Sequence, residues 1–161
     1  MKVISCTLFS FFLCFIYINE AYSAAALSVT NNRSLNFGKA VKPSSGTSKI
    51  VVKRNGSLGG GTNAIMLDTS SISSGRDRIR GSGRDRIQIS FSNCSSNSAL
   101  GLQIKRFTAR YGGKNFINTG TNLRPPRRRG RNVTYGANLI INSSAATGTL
   151  TPCYNIEVNY D

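Results

Sequence analysis

Apolar positions along this chain recur at every second residue in short bursts, separated by glycine, serine and asparagine. Leu27-Ser-Val29, Lys49-Ile-Val-Val-Lys53, Ile87-Gln-Ile-Ser-Phe91 and Leu102-Gln-Ile104 place β-branched or aromatic side chains at period-two spacing, the pattern of a strand with one buried face. Pro43-Ser-Ser-Gly46, Asn55-Gly56, Gly59-Gly-Gly61 and Tyr111-Gly-Gly113 punctuate them as turns. No window of helical length shows helical periodicity. Short strands at this spacing predict an all-β fold, a two-sheet antiparallel sandwich.

The clearest alternation comes last. Residues 148–161 read as a strand in which Tyr154, Ile156, Val158 and Tyr160 share one face, while Asn155, Glu157 and Asn159 take the other. A half-apolar strand at this place leaves a sheet edge near the terminus, and such edges invite pairing with another chain.

Two basic features change the picture. Arg76-Asp-Arg-Ile79 recurs as Arg84-Asp-Arg-Ile87 around Gly81-Ser82-Gly83, which predicts a hairpin. Its arginines and aspartates would sit on polar positions and neutralise one another across strands at roughly 0.2–1 kcal/mol per pair. The hairpin is either a basic ribbon that contacts an anionic partner through Arg76, Arg78, Arg84 and Arg86, or a solvated element kept soluble by its charge. The second feature, Arg124-Pro-Pro-Arg-Arg-Arg-Gly-Arg131, is a loop because of its prolines and glycine. Arg124, Arg127, Arg128, Arg129 and Arg131 could hold phosphate or sulfate by charge and by bidentate hydrogen bonds, or could serve no dedicated ligand.

The apolar run behind Lys2, followed by Ala21-Tyr22-Ser23, reads as a secretory signal over residues 1–23 with cleavage before Ala24. The roughly 138 residues that remain make a single domain, 24–161. Removing Lys2 and Glu20 leaves the net charge at +15. Cys94 and Cys153 are then the one available intrachain pair, and an oxidising compartment would either bridge them or leave two thiols. A bridge would close a loop of about sixty residues, worth roughly 3–4 kcal/mol on the loop-entropy view.

Histidine is absent, so neither a Ser-His nor a Cys-His pair can form. The acids Asp68, Asp77, Asp85, Glu157 and Asp161 are scattered, and two cysteines cannot make a four-sulfur zinc site. The expectation is a protein that is not an enzyme and that uses no metal, cofactor or small-molecule substrate. Asn32, Asn55, Asn132 and Asn142 begin Asn-x-Ser/Thr triplets, which matter only in a host that glycosylates them.

Several segments together resemble the domain-of-unknown-function family 4402, a family of exported bacterial proteins regarded as pilin-like or surface-associated. Leu35-Asn-Phe-Gly38-Lys-Ala-Val41, then Ser45-Gly46 and the strand Lys49 to Lys53, resemble its opening. Leu102-Gln-Ile-Lys-Arg-Phe107-Thr108, Tyr135-Gly-Ala-Asn-Leu-Ile140 and the stretch from Thr147-Gly148-Thr149 to Val158-Asn159-Tyr160 resemble later segments in the same order. The C-terminus is also similar to subunits of chaperone–usher pili, with Tyr160 as the penultimate aromatic and Gly148 at the fourteenth place from the end.

That second resemblance implies an immunoglobulin-like sandwich that lacks a strand and is completed by a periplasmic chaperone and then by like subunits. Gly148, Tyr154, Ile156, Val158 and Tyr160 would form the assembly strand. Only Ala24-Ala-Ala26 precedes the first expected strand, so Leu27 and Val29 would themselves have to act as donors. Gly148 and Tyr160 could equally belong to an ordinary edge strand of a complete sandwich. The leading expectation is an exported surface or fimbrial-type structural or adhesive protein, in the periplasm, at the cell surface or outside the cell, assembling by β-strand addition. The alternative is a monomeric secreted basic module that binds an anionic polymer such as lipopolysaccharide, a glycosaminoglycan or nucleic acid.

Overall fold

Period-two alternation becomes eleven strands and one short helical turn in the computed structural model, which describes residues 26–161. The expected export signal lies outside the described residues. In chain order the strands are β1 (Ser28–Arg33), β2 (Lys39–Val41), β3 (Thr47–Val52), β4 (Ile65–Asp68), β5 (Gly75–Arg80) and β6 (Ile87–Asn93). The turn α1 (Ser96–Ala99) follows, then β7 (Leu102–Tyr111), β8 (Lys114–Ile117), β9 (Thr119–Leu123), β10 (Arg131–Asn142) and β11 (Tyr154–Tyr160).

β10 organises the first layer. Val133, Tyr135, Ala137, Leu139 and Ile141 alternate inward and are buried. One side of the strand pairs with β7, and the other pairs first with β5 and then with β3. β1 adds to the far side of β5. β6 lies between β9 and β11 in the second layer. All pairings are antiparallel, as the sandwich expectation requires, and β2 with β4 forms a separate small sheet.

The layers meet through aromatic rings. Phe91 of β6 stacks on Phe107 of β7 with centroids 5.0 Å apart, and it also lies 4.9 Å from Tyr135. Tyr154 of β11 sits 5.7 Å from both Phe107 and Tyr135. Such pairs each add about 0.5–1.5 kcal/mol beyond the area they bury. Gly75 makes room for this cluster: a Cβ there would lie 2.1 Å from Tyr135 Cε2.

The two layers belong to one hydrogen-bonded ribbon that turns over between β8 and β9. A bulge in β7 starts the turn. Register slips opposite Gly136 and Asn138, and Arg106 takes φ +51°, as an extra residue in a ladder demands. Phe107 N–H then donates to Asn118 Oδ1 (2.8 Å), while Asn118 N–H donates to Phe107 O (2.9 Å) and Asn118 O accepts from Phe91 N–H (2.9 Å). Asn118 itself adopts φ +55°, a left-handed conformation that asparagine tolerates better than most residues. One asparagine thus stitches both layers at the corner.

The predicted hairpin of residues 76–87 does not form. β5 belongs to the first layer and β6 to the second, and residues 81–86 cross between them. Tight hairpin turns use positive φ, whereas neither Gly81 nor Gly83 has it. Those glycines provide clearance instead, since a Cβ on Gly83 would lie 2.6 Å from the Tyr160 hydroxyl oxygen. The expected Arg–Asp neutralisation is corrected too. Asp77 shares the inward face with Ile79, and only 2 % of it is exposed.

Candidate functional site

The path of the sheet runs from β1 at one end to β11 at the other, with β3 as a side branch on β10 whose far side is bridged by Thr62 at Lys49 and by Leu58 at Val52. Of the two ends, β11 is the more regular edge. It pairs with β6 over all seven residues with no register break. Tyr154, Ile156, Val158 and Tyr160 are half-buried and pack against the core, while Asn155, Glu157 and Asn159 are exposed, as the alternation predicts. Cys94 N–H donates to Cys153 O and Asp161 N–H to Arg86 O. Those two bonds set the phase of the ladder, so the backbone N–H and C=O of Ile156 and Val158 point away from β6. The strand is shorter than the sequence reading: it begins at Tyr154, and Gly148 lies in the preceding loop at φ +111°. Pro152 and the bridged Cys153 end that loop.

The start of β11 is firmly anchored. Cys94 and Cys153 form a disulfide across 59 residues, which settles the choice left open between a bridge and two thiols. Beside it, buried Asn97 donates through Nδ2 to Asn93 Oδ1 and Cys153 O, both at 2.6 Å, and its Oδ1 accepts from Cys153 N–H at 2.8 Å. Every side-chain hydrogen of a buried amide that finds a partner here removes a desolvation penalty of about 1–3 kcal/mol. Next in line, Tyr154 lies with its hydroxyl oxygen 2.9 Å from that of Tyr135, and Tyr135 donates to Asp77 Oδ2 at 2.8 Å. Since that bond uses the only hydroxyl hydrogen of Tyr135, Tyr154 is the donor in the other. Leu35 N–H donates to Tyr154 at 3.4 Å, and Asn31 Nδ2 donates to Asp77 Oδ1 at 2.7 Å. This polar network joins the two edges of the sandwich through its interior.

Burial pushes the Asp77 carboxyl above the usual carboxylate range, while the hydrogen bonds from Tyr135 and Asn31 pull it back. Burial likewise raises the Tyr135 hydroxyl, helped by its bond with Tyr154 and by the nearby Tyr154 and Asp77 groups. Neither residue stood out as a site in the sequence. Asp77 could have been recognised, since its spacing of two from Ile79 puts it on the apolar face.

The arginines separate into two groups. Arg84, Arg86, Arg124, Arg127, Arg128 and Arg131 line one surface groove of about 570 Å³. Arg78 instead donates through Nε (2.8 Å) and Nη2 to Arg129 O. Arg76 donates to the Asn132 side-chain oxygen through Nη2 (2.8 Å) and Nε (3.2 Å) once that amide is turned to satisfy both groups. Six of the nine predicted patch residues therefore converge, and Arg76, Arg78 and Arg129 lie outside the groove lining.

Another feature escaped the sequence reading. Ile65 and Leu67 on β4 are 66 % and 70 % exposed, and β4 pairs only with β2. Among the described residues, no group of three His, Cys, Asp or Glu side chains is placed to hold a metal ion. No curated protein and no solved structure matches the chain. A family profile does, over residues 27–160, and this span covers every strand of the sandwich. The chain belongs to the family described as Domain of unknown function (DUF4402).

Proposed function

We propose that the protein is an exported, non-enzymatic surface subunit, structural or adhesive, that assembles by accepting a strand at the free edge of β11. The observation that carries this reading is the regularity of that edge. Protein sheets blunt edges with charges, prolines, bulges or short strands, yet β11 runs seven residues without a register break and has Glu157 as its only charge. An added strand would take main-chain hydrogen bonds from Ile156 and Val158, and alternate side chains would set its register. A disulfide at the base of β11 suits an oxidising compartment such as the periplasm or cell surface. The proposed partners are a periplasmic chaperone or like subunits, with Tyr154, Ile156, Val158 and Tyr160 as the contact set.

The test is electrophoresis of the native surface fraction in mild detergent, with and without boiling. The reading expects a ladder of oligomers that collapses to one band on boiling. Val158→Pro removes an outward N–H while leaving the β6-facing bonds in place, and it should abolish the ladder. The pair Asn155→Lys and Asn159→Lys alters only exposed positions and should weaken the ladder while keeping the fold. A single monomer band from the wild type under both conditions would overturn the proposal.

A further inference from the structure

Segments roughly forty residues apart in sequence build one basic groove. The chain crosses between layers through residues 81–86, leaving β5 for β6, and again through residues 124–130, leaving β9 for β10. These crossings form facing walls. Gly81 sits so close to the second crossing that a Cβ would lie 3.1 Å from Pro126 Cγ. The base is held in place: Gly83 N–H donates to the Tyr160 hydroxyl at 3.3 Å, and Pro126 is buried. The rim is held as well. Gly130 N–H donates to Arg127 O at 2.6 Å, and Arg78 grips Arg129 O. The arginine heads are thus mounted on braced loops.

The groove's chemistry is one-sided. Six guanidinium groups, each a planar cationic fork of donors, line it. The acids nearby are Asp85, in the first wall, and Asp161, which bonds through its own N–H to Arg86 O and through its carboxylate to Asn122 N–H. Forked donors at this density match the oxygens of phosphate and sulfate.

The scaffold that carries those anions is narrowed by what lines the groove. No aromatic side chain is among the lining residues, so bases of a single strand have no stacking platform. Pro125, half-buried beside the groove, instead offers saturated apolar contact. We propose that this groove binds phosphate or sulfate esters carried on a carbohydrate. The groove adjoins the β11 edge through Tyr160, yet its arginines lie outside the β11 contact set, so either site could act without the other.

Titration calorimetry on the disulfide-bonded protein near physiological salt tests the assignment. The probes are a heparin hexasaccharide, a bisphosphorylated glucosamine disaccharide and a twelve-residue oligothymidylate. The Arg124→Ser, Arg127→Ser, Arg128→Ser triple should weaken carbohydrate binding about tenfold or more through lost charge-assisted bonds. A control triple of equal charge, Lys53→Gln, Lys105→Gln and Arg110→Gln, removes exposed charges elsewhere and should change it by less than about threefold, since screening limits distant charges. Tighter binding of the sulfated probe identifies a glycosaminoglycan-type source, and tighter binding of the phosphorylated one a glycolipid headgroup. Equal losses from both triples, absence of carbohydrate binding, or tighter binding of the oligothymidylate would each overturn the proposal. The arginine variant should still form the oligomer ladder, so failure here is distinct from failure of strand addition.

Discussion

β1 and β11 are both outer strands of one hydrogen-bonded ribbon, and they treat solvent in opposite ways. β1 is exposed at all six positions and breaks register between Asn31 and Arg33. Beyond its ladder with β5, it is held by side chains: Asn31 on Asp77, and Arg33 through Nε and Nη2 on Ser74 O and Oγ at 2.8 and 2.7 Å. β11 keeps strict alternation and unbroken register, and is anchored at its start by the disulfide and Asn97. A bulged polar edge is protected against pairing, whereas a straight half-apolar one is prepared for it. The difference fits protection at one end of the ribbon and, on the proposed reading, assembly at the other.

The strongest way to break this contrast is to release β11. Replacing Cys94 and Cys153 by alanine should cost about 3–4 kcal/mol, visible as a large fall in thermal midpoint that reductant reproduces in the wild type. Asn97→Ala should come next, at about 3 kcal/mol from a buried clamp of three hydrogen bonds, and chemical denaturation would measure it. At the other edge, Asn31→Ala or Arg33→Ala should cost only about 1 kcal/mol each, since these bonds are part-exposed. A larger loss at β1 than at β11 would reverse the comparison.

The smallest effect is a pH dependence in the network that joins the edges. Burial raises Asp77 in the folded protein above its unfolded value. Its protonated form therefore favours folding: that contribution is complete below the unfolded value and is lost as pH rises through the folded one. Thermal melts of Asp77→Asn alongside the wild type should show the wild type gaining relative to the variant as pH falls from neutral towards 4. A constant difference would mean that Asp77 titrates as an ordinary surface acid.

Much of this architecture was legible because alternation is local. Ile87 to Phe91, Leu102 to Ile104 and the face of Tyr154, Ile156, Val158 and Tyr160 all follow from period-two spacing. The Arg-Asp-Arg-Ile repeat misleads because similarity between two segments is not pairing between them: the first copy lies in β5, and the second lies in the crossing that leads into β6. Gly148 was joined to the last strand by a count from the terminus, which ignores that Pro152 and the bridged Cys153 end a loop. The roles of Asn97 and Asn118 depend on where distant backbone groups arrive, and no neighbouring residue signals that. The arginine groove is hidden for the same reason, because two crossings must first meet in space. Its individual arginines were readable; which of them would converge was not.

Residue-resolved hydrogen exchange on monomer and oligomer fractions tests the central claim most directly. Assembly at the β11 edge predicts that the Ile156 and Val158 amides, which point outward in the monomer, become protected in the oligomer. The Asn155, Glu157 and Asn159 amides, already facing β6, should change little. Protection gained instead along β1 or on Ile65 and Leu67 of β4, with Ile156 and Val158 still exchanging freely, would contradict the account.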